Sequence, residues 1–150
     1  MPQKIILIAA VTVDGYIARH SREITKWSKD LRLFKKQTMG WSLVVGSNTY
    51  KTIERELAGR QVFVVHRNNK PDEILSKINQ NKCYVIGGGK TFSKYSPFIT
   101  HLFITPHPYV FGSGVPLFSE RIKEMKLNFI KINIVDQDLG IYQYQYEVVK

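Results

Sequence analysis

Five short runs rich in valine, isoleucine and aromatic residues limit the fold of this chain more than any other feature. They are KIILIAAVTV (4–13), WSLVVG (41–46), RQVFVVH (60–66), CYVIGG (83–88) and THLFITP (100–106), and their length and β-branched content read as strands. Helical patterns lie between them. In SKDLRLFKKQTMG (28–40), Leu31, Phe34 and Thr38 share one face, with Ser28 the expected N-cap and Gly40 the expected stop. SNTYKTIEREL (47–57) and KPDEILSKINQ (70–80) repeat the pattern, the second with Pro71 in its first turn. This alternation, which holds to about residue 100, predicts a largely parallel sheet with helices on its faces. Beyond it, LNFIKINIVDQDLGIYQYQYEVV (127–149) alternates apolar and polar residues on both sides of Asp138, Leu139 and Gly140, which predicts a closing antiparallel hairpin. The expected class is α/β: three layers around a mixed, mostly parallel sheet, in one domain over residues 1–150.

Other features narrow the partners. A single cysteine, Cys83, excludes an internal disulfide framework, and the four histidines show no ligand spacing with it, so no metal site is expected. The apolar opening is too short to span a bilayer and carries no cleavage-site pattern, which points to a cytoplasmic protein with no membrane partner. With 22 Lys+Arg against 12 Asp+Glu, the formal charge of +10 attracts polyanions. The basic residues are scattered, however, and never form a run of five. That pattern suits a solvated cationic surface or an anionic small molecule, and it does not favour a nucleic-acid partner.

In sheets of this class ligands bind beyond the carboxyl ends of strands, where loops feed helix N-termini. The sharpest such junction is VIGGGKT (85–91), a strand that runs into three glycines and then a helix start with Lys90 and Thr91. Each glycine costs roughly 0.5–1 kcal/mol relative to alanine inside regular structure, so three in a row imply a close approach to the backbone. Pyrophosphate is the natural occupant. The motif is neither a Walker A loop nor a G-x-G-x-x-G fingerprint, and on its own it is equally a tight turn. A second strand-glycine-helix junction, VVGSNTY (44–50), offers the Thr49 hydroxyl, and the two junctions together are expected to grip opposite ends of an extended dinucleotide. Asp30 stands in the first turn of its helix beside Leu31 and Phe34 on the inward side. It is either a carboxylate in an apolar cleft or an acid favoured by the helix dipole.

Taken in order, these pieces resemble dihydrofolate reductase. The resemblance is carried by LIAAVTVDGYIA (7–18), DLRLFKKQTMG (30–40), LVVGSNTYKTI (43–53), LAGRQVFVVHRN (57–68), VIGGGKTF (85–92), LFITP (102–106) and YQYEVV (144–149). It runs almost without gaps over residues 4–67 and more loosely to the C-terminus. The related reductase of riboflavin biosynthesis shares the fold. Two features lean toward it: SGVPLF (113–118), and a first loop with Trp27 close to Asp30 but no Pro-Trp pair.

The resemblance implies hydride transfer from NADPH to C6 of 7,8-dihydrofolate, giving tetrahydrofolate, or, on the alternative, reduction of a riboflavin-pathway pyrimidine or other heterocycle. Asp30 and Thr105 are the implied catalytic residues, Asp30 gripping the pterin 2-amino group and the adjacent ring nitrogen and assisting protonation of N5. Arg60 is implied to pair with the substrate's glutamate carboxylate. Ile8, Ala9, Ala10, Leu31, Phe34, Ile53, Leu57 and Ile86 are the implied apolar walls of the substrate site. For the cofactor, the implied contacts are Ala10, Ile17, Gly46, Ser47, Asn48, Thr49, Val65, His66, Arg67, Ile86, Gly87, Gly88, Gly89, Lys90, Thr91 and Phe92, with a cis peptide between Gly87 and Gly88. Ser47 stands where many relatives carry arginine, so choice of the phosphorylated cofactor rests on Arg67 and His66, aided by Lys51 or Lys70. The expected state is a monomer or homodimer.

Overall fold

The computed structural model describes all residues, Met1–Lys150. Each of the five apolar runs forms a strand: β1 (Lys4–Thr12), β3 (Ser42–Gly46), β4 (Gln61–Val65), β5 (Lys82–Val85) and β6 (His101–His107). The C-terminal hairpin is β8 (Leu127–Asp136) and β9 (Ile141–Val148). Its turn closes through Gly140 at φ 70° and a hydrogen bond from the Leu139 N–H to Asp136 Oδ1 (3.1 Å). These seven strands form one sheet in the order β4-β3-β5-β1-β6-β9-β8, parallel from β4 to β6 and antiparallel at β6·β9 and β8·β9. The expected α/β class with a mixed, mostly parallel sheet is what the chain adopts.

Two strands were not legible as runs. Tyr16–Ala18 (β2) and Val115–Pro116 (β7) pair antiparallel as a small second sheet, which draws SGVPLF against the first loop.

Four helices cover the sheet: α1 (Leu31–Thr38), α2 (Ser47–Ile53), α3 (Pro71–Ser76) and α4 (Gly89–Tyr95). Lying between β5 and β6, β1 is covered on both sides, so Ile5, Ile6, Leu7 and Ile8 are all buried. On one face Leu7, Val44 and Val85 pack with Ile74, Leu75, Phe92 and Tyr95 of α3 and α4. On the other, Ile6, Ile8, Leu43 and Tyr84 pack with Leu57, Phe34 of α1, and Tyr50 and Ile53 of α2. Each fully buried aliphatic side chain of this kind contributes about 1.5–3 kcal/mol.

The helices depart from expectation at their ends. Ser28 is not the N-cap of α1; Asp30 occupies that position, without a side-chain capping hydrogen bond. Leu31 is 44% exposed rather than buried, although it shares a side of α1 with Phe34 and Thr38: at the first residue of the helix it lies outside the cluster that Phe34 joins. The helix expected over 47–57 ends at Ile53 and continues as a 3-10 turn, Glu54–Leu57.

Candidate active site

The carboxyl ends of β1, β3, β5 and β6 meet the N-terminal ends of α1, α2 and α4. Asp30 is only 9% exposed, and burial pushes its carboxyl above the usual carboxylate range; the Thr105 side chain and the His107 ring lie beside it. Thr105 stands on β6 opposite Ala10 of β1 and is fully buried. Its hydroxyl makes no well-formed hydrogen bond to Asp30 or to any other group. A buried hydroxyl without a partner costs about 1–3 kcal/mol, and beside a buried carboxylate it suits a polar ligand.

His107, two residues along β6, is 1% exposed. Its Nδ1 lies 2.8 Å from the Thr105 carbonyl, and its Nε2 accepts the Lys29 N–H at 2.9 Å. The lack of metal-ligand spacing says nothing about His107; strand alternation from Thr105 is the sequence signal that locates it.

The first loop is organised by Trp27, which packs edge-on against His107, Tyr109 and Phe111 and donates from Nε1 to Glu23 (3.2 Å). Glu23 is held by Arg19, whose guanidinium lies over Phe111. Asp14 accepts from the Thr12 hydroxyl (2.6 Å) and from the N–H groups of Phe111 and Gly112, tying this loop to the one after β6 and holding its carboxyl below the usual range.

The glycine junctions lie side by side, which corrects the expectation that they grip opposite ends of a ligand. β3 and β5 are neighbours, and the Gly46 N–H donates to the Gly87 carbonyl at 2.7 Å. A Cβ on Gly46 would stand 2.6 Å from Thr91 Oγ1, and one on Gly88 3.0 Å from Thr49 Oγ1. Two threonine hydroxyls and the glycine backbone therefore form one cradle. The Gly87–Gly88 peptide is cis, as the resemblance implied, and Gly87 has φ 131°. Gly89 faces elsewhere: a Cβ there would meet Ser119 Oγ at 2.0 Å and the Pro116 carbonyl at 2.6 Å. The segment after β7 thus braces the cradle from behind.

A cavity of about 470 Å³ opens between the first loop and α2, lined by Arg22, Ile24, Asn48, Lys51 and Thr52. Arg22 and Ile24 were not singled out from sequence. At the carboxyl end of β4, His66 and Arg67 are exposed, and Lys94 Nζ donates to the Arg67 carbonyl (2.7 Å), adding a cation that no motif announced. Val65 and Phe92 belong instead to the α3–α4 core cluster, as does partly buried Ile17 at its edge, while Lys90 is exposed and Ser47 partly buried.

Phe34, Ile53, Leu57, Ile8 and Ile86 do come together on the α1–α2 face. Leu31 stands outside that group, and Ala9 packs on the opposite face, so Ile8, Ala9 and Ala10 do not form one wall. Arg60 is built into the wall by three anchors: Nε donates to Thr38 Oγ1 (3.0 Å), Nη2 to the Lys35 carbonyl (2.7 Å), and Nη1 to the Ala58 carbonyl. Guanidinium has five N–H groups, so each terminal nitrogen keeps one to offer.

The profile of the dihydrofolate reductase family matches residues 4–112. Among curated proteins, the type 3 dihydrofolate reductase of Salmonella typhimurium is 30% identical over 113 residues, spanning 67% of this chain and 70% of that protein. The dihydrofolate reductase of Bacillus subtilis is 29% identical over 107 residues, spanning 61% and 62%. Among solved structures, a dihydrofolate reductase from Enterococcus faecalis complexed with NADP(H) superposes with a TM-score of 0.77 at 20% identity, covering 99% of each chain. A putative riboflavin biosynthesis protein from Shewanella gives 0.67 at 23% identity, covering 98% of this chain and 99% of that one.

Proposed function

The chain belongs to the dihydrofolate reductase family and is an oxidoreductase of that kind, and from that premise we propose that it reduces 7,8-dihydrofolate to tetrahydrofolate with NADPH. The observation that carries the reading is the buried Asp30 carboxyl beside the unpartnered Thr105 hydroxyl. A carboxylate accepts two parallel N–H bonds from a 2-amino group and its neighbouring ring nitrogen. Burial keeps Asp30 protonated to higher pH than a free carboxyl, which suits it to assist protonation at N5. Thr105 Oγ1 gains a partner when a polar heterocycle sits beside Asp30, and Phe34, Ile53, Leu57 and Ile8 exclude water from the ring's apolar faces.

NADPH, when bound, supplies the hydride. The glycine cradle suits a pyrophosphate, since the glycines leave backbone bare of side chains beside the Thr49 and Thr91 hydroxyls, and Arg22 and Lys51 bring positive charge to the adjoining cavity. The 2′-phosphate falls to Arg67, with His66 beside it. Charge-assisted contacts contribute about 1.5–3 kcal/mol each, so Arg67→Ala should reduce the preference for NADPH over NADH by about tenfold or more. The wild-type preference should shrink as salt rises. Dissociation constants for both cofactors in both proteins check this; an undiminished preference in the variant would assign the phosphate to another cation.

Arg60, with one N–H left on each terminal nitrogen, is arranged for a bidentate carboxylate. Arg60→Lys is expected to weaken dihydrofolate binding by roughly tenfold or more while NADPH affinity stays unchanged. A pterin lacking the glutamate should bind both proteins equally. Equal losses for the two ligands would remove the carboxylate from Arg60.

The decisive experiment is NADPH oxidation followed at its absorbance with dihydrofolate and, separately, with a riboflavin-pathway aminopyrimidine. Turnover of dihydrofolate alone supports the proposal. Turnover of the pyrimidine alone replaces it with the reading toward which the first loop leaned.

A further inference from the structure

We propose that His107 is a positioning residue for Asp30, holding the start of α1 to the sheet through one tautomer of a neutral imidazole; this rests on the reading of Asp30 given above. The Thr105 carbonyl only accepts, so the Nδ1 that lies 2.8 Å from it carries the ring proton. In a neutral ring Nε2 is then an acceptor, and the Lys29 N–H fills it at 2.9 Å. Both nitrogens are satisfied in one protonation state only. A second proton on Nε2 would set two donors against each other at Lys29.

The placement gives this bond its consequence. From Ile24 to Asp30, the Lys29 N–H bond to His107 is the single hydrogen bond that reaches the sheet; the Trp27 indole bonds to Glu23 within the same loop. Lys29 immediately precedes Asp30, whose own side chain makes no capping bond to hold the helix start. The chain of contacts therefore runs from the Thr105 carbonyl through the imidazole to the Lys29 amide and on to the Asp30 backbone. It fixes the distance between the two groups assigned to the substrate, Thr105 on β6 and Asp30 on α1. The ring faces the Asp30 carboxylate and Lys29 amide from the start of α1, the Thr105 carbonyl from its own strand, and the Trp27 indole from the first loop at 5.3 Å and 88°. Asp30 is the only charged group among these.

The test compares His107→Leu, His107→Gln and Asp30→Asn. Leucine removes the acceptor and leaves the Lys29 N–H without its tie to the sheet, whereas the amide oxygen of glutamine can take that N–H. Displacement of a reacting group by about 1 Å costs up to roughly a hundredfold in rate. His107→Leu is accordingly expected to lower kcat about tenfold to a hundredfold and to raise the KM for dihydrofolate, which Asp30 also grips, with NADPH affinity near that of the wild type. The pH at which kcat/KM falls to half should also move, because the Asp30 carboxyl sits differently. His107→Gln should recover most of the rate and the original pH profile.

A His107→Leu protein with normal kcat and pH profile but a lower melting temperature would overturn the proposal and leave His107 a core residue. Glutamine performing no better than leucine would overturn the role of the Nε2 acceptor. Should the leucine variant not fold, the wild-type imidazole ¹⁵N signals decide, since a charged ring or an Nε2–H tautomer at neutral pH contradicts the geometry. If Asp30→Asn turns over normally, the reading of Asp30 falls; if it is inactive while His107→Leu is normal, only the present proposal falls.

Discussion

Asp30→Asn is expected to lower turnover at neutral pH by roughly a hundredfold or more, the range for loss of a positioned acid–base group, and at the same time to make the protein more stable. Both effects come from one fact: the carboxyl is buried beside a hydroxyl that has no partner, on a helix start that it does not cap. Burial raises its pKa in the folded state above that of the unfolded chain. Between those two values the folded protein binds the extra proton, so wild-type stability is fully present below the unfolded pKa. It is lost as pH rises through the folded one. Asparagine has nearly the same shape and no charge to desolvate. The variant's advantage should therefore be absent in acid, appear as pH rises through that window, and stay constant above it. Turnover of the wild type should fall over the same window as the protonated fraction declines. Denaturant melts from acid to neutral pH, beside NADPH titrations that show the cofactor still binding, check the pair of effects. Near-normal turnover would reduce Asp30 to a helix-end acid, and a variant less stable than wild type at neutral pH would show that the charge is solvated in the fold.

This coupling of activity to instability marks the boundary of what sequence could reveal. The sheet was legible because each strand is a contiguous apolar run and each crossover a helical pattern, both written in local periodicity. Phe34 was legible as an inward residue for the same reason. Leu31 was not, since periodicity tells which side of a helix residues share and not how far along the helix that side is covered: Leu31 lies on the side of Thr38 yet is 44% exposed at the first residue of α1. The cradle shows the same division. Each glycine junction stood out by itself, but their contact depends on β5 returning to pair with β3 while β4 passes to the outside, a matter of topology. β2 and β7, three and two residues long, have too little pattern to declare themselves, and only their pairing explains why Val115 and Pro116 lie against the first loop. Arg60 was assigned by resemblance alone, whereas its three anchors to Thr38, Lys35 and Ala58 explain why an arginine, with donors to spare, is needed there.

Gly46→Ala is expected to raise the dissociation constant for NADPH by about tenfold or more, equivalent to about 1.4 kcal/mol, without touching any residue assigned to the substrate. Gly46 closes β3 with an extended backbone at φ −67°, so alanine is not excluded by conformation. What excludes it is space. The new Cβ would lie 2.6 Å from Thr91 Oγ1 and 3.4 Å from the Gly87 carbonyl, the same carbonyl that the Gly46 N–H holds at 2.7 Å. Thr91 is 9% exposed on a seven-residue helix and has little room to withdraw. The end of β3 and the start of α4 must therefore move apart, opening the cradle, and overpacking of this kind costs about 1–3 kcal/mol. Relief should come from the other side of the contact. Thr91→Ala removes the oxygen that the methyl group meets, so Gly46→Ala/Thr91→Ala should bind NADPH more tightly than Gly46→Ala alone, even though Thr91→Ala by itself sacrifices a hydroxyl of the cradle. Calorimetric titration of the four proteins measures the coupling directly. A double variant no better than the single one would show that the methyl group acts elsewhere, and wild-type affinity in Gly46→Ala would move the pyrophosphate away from these glycines altogether.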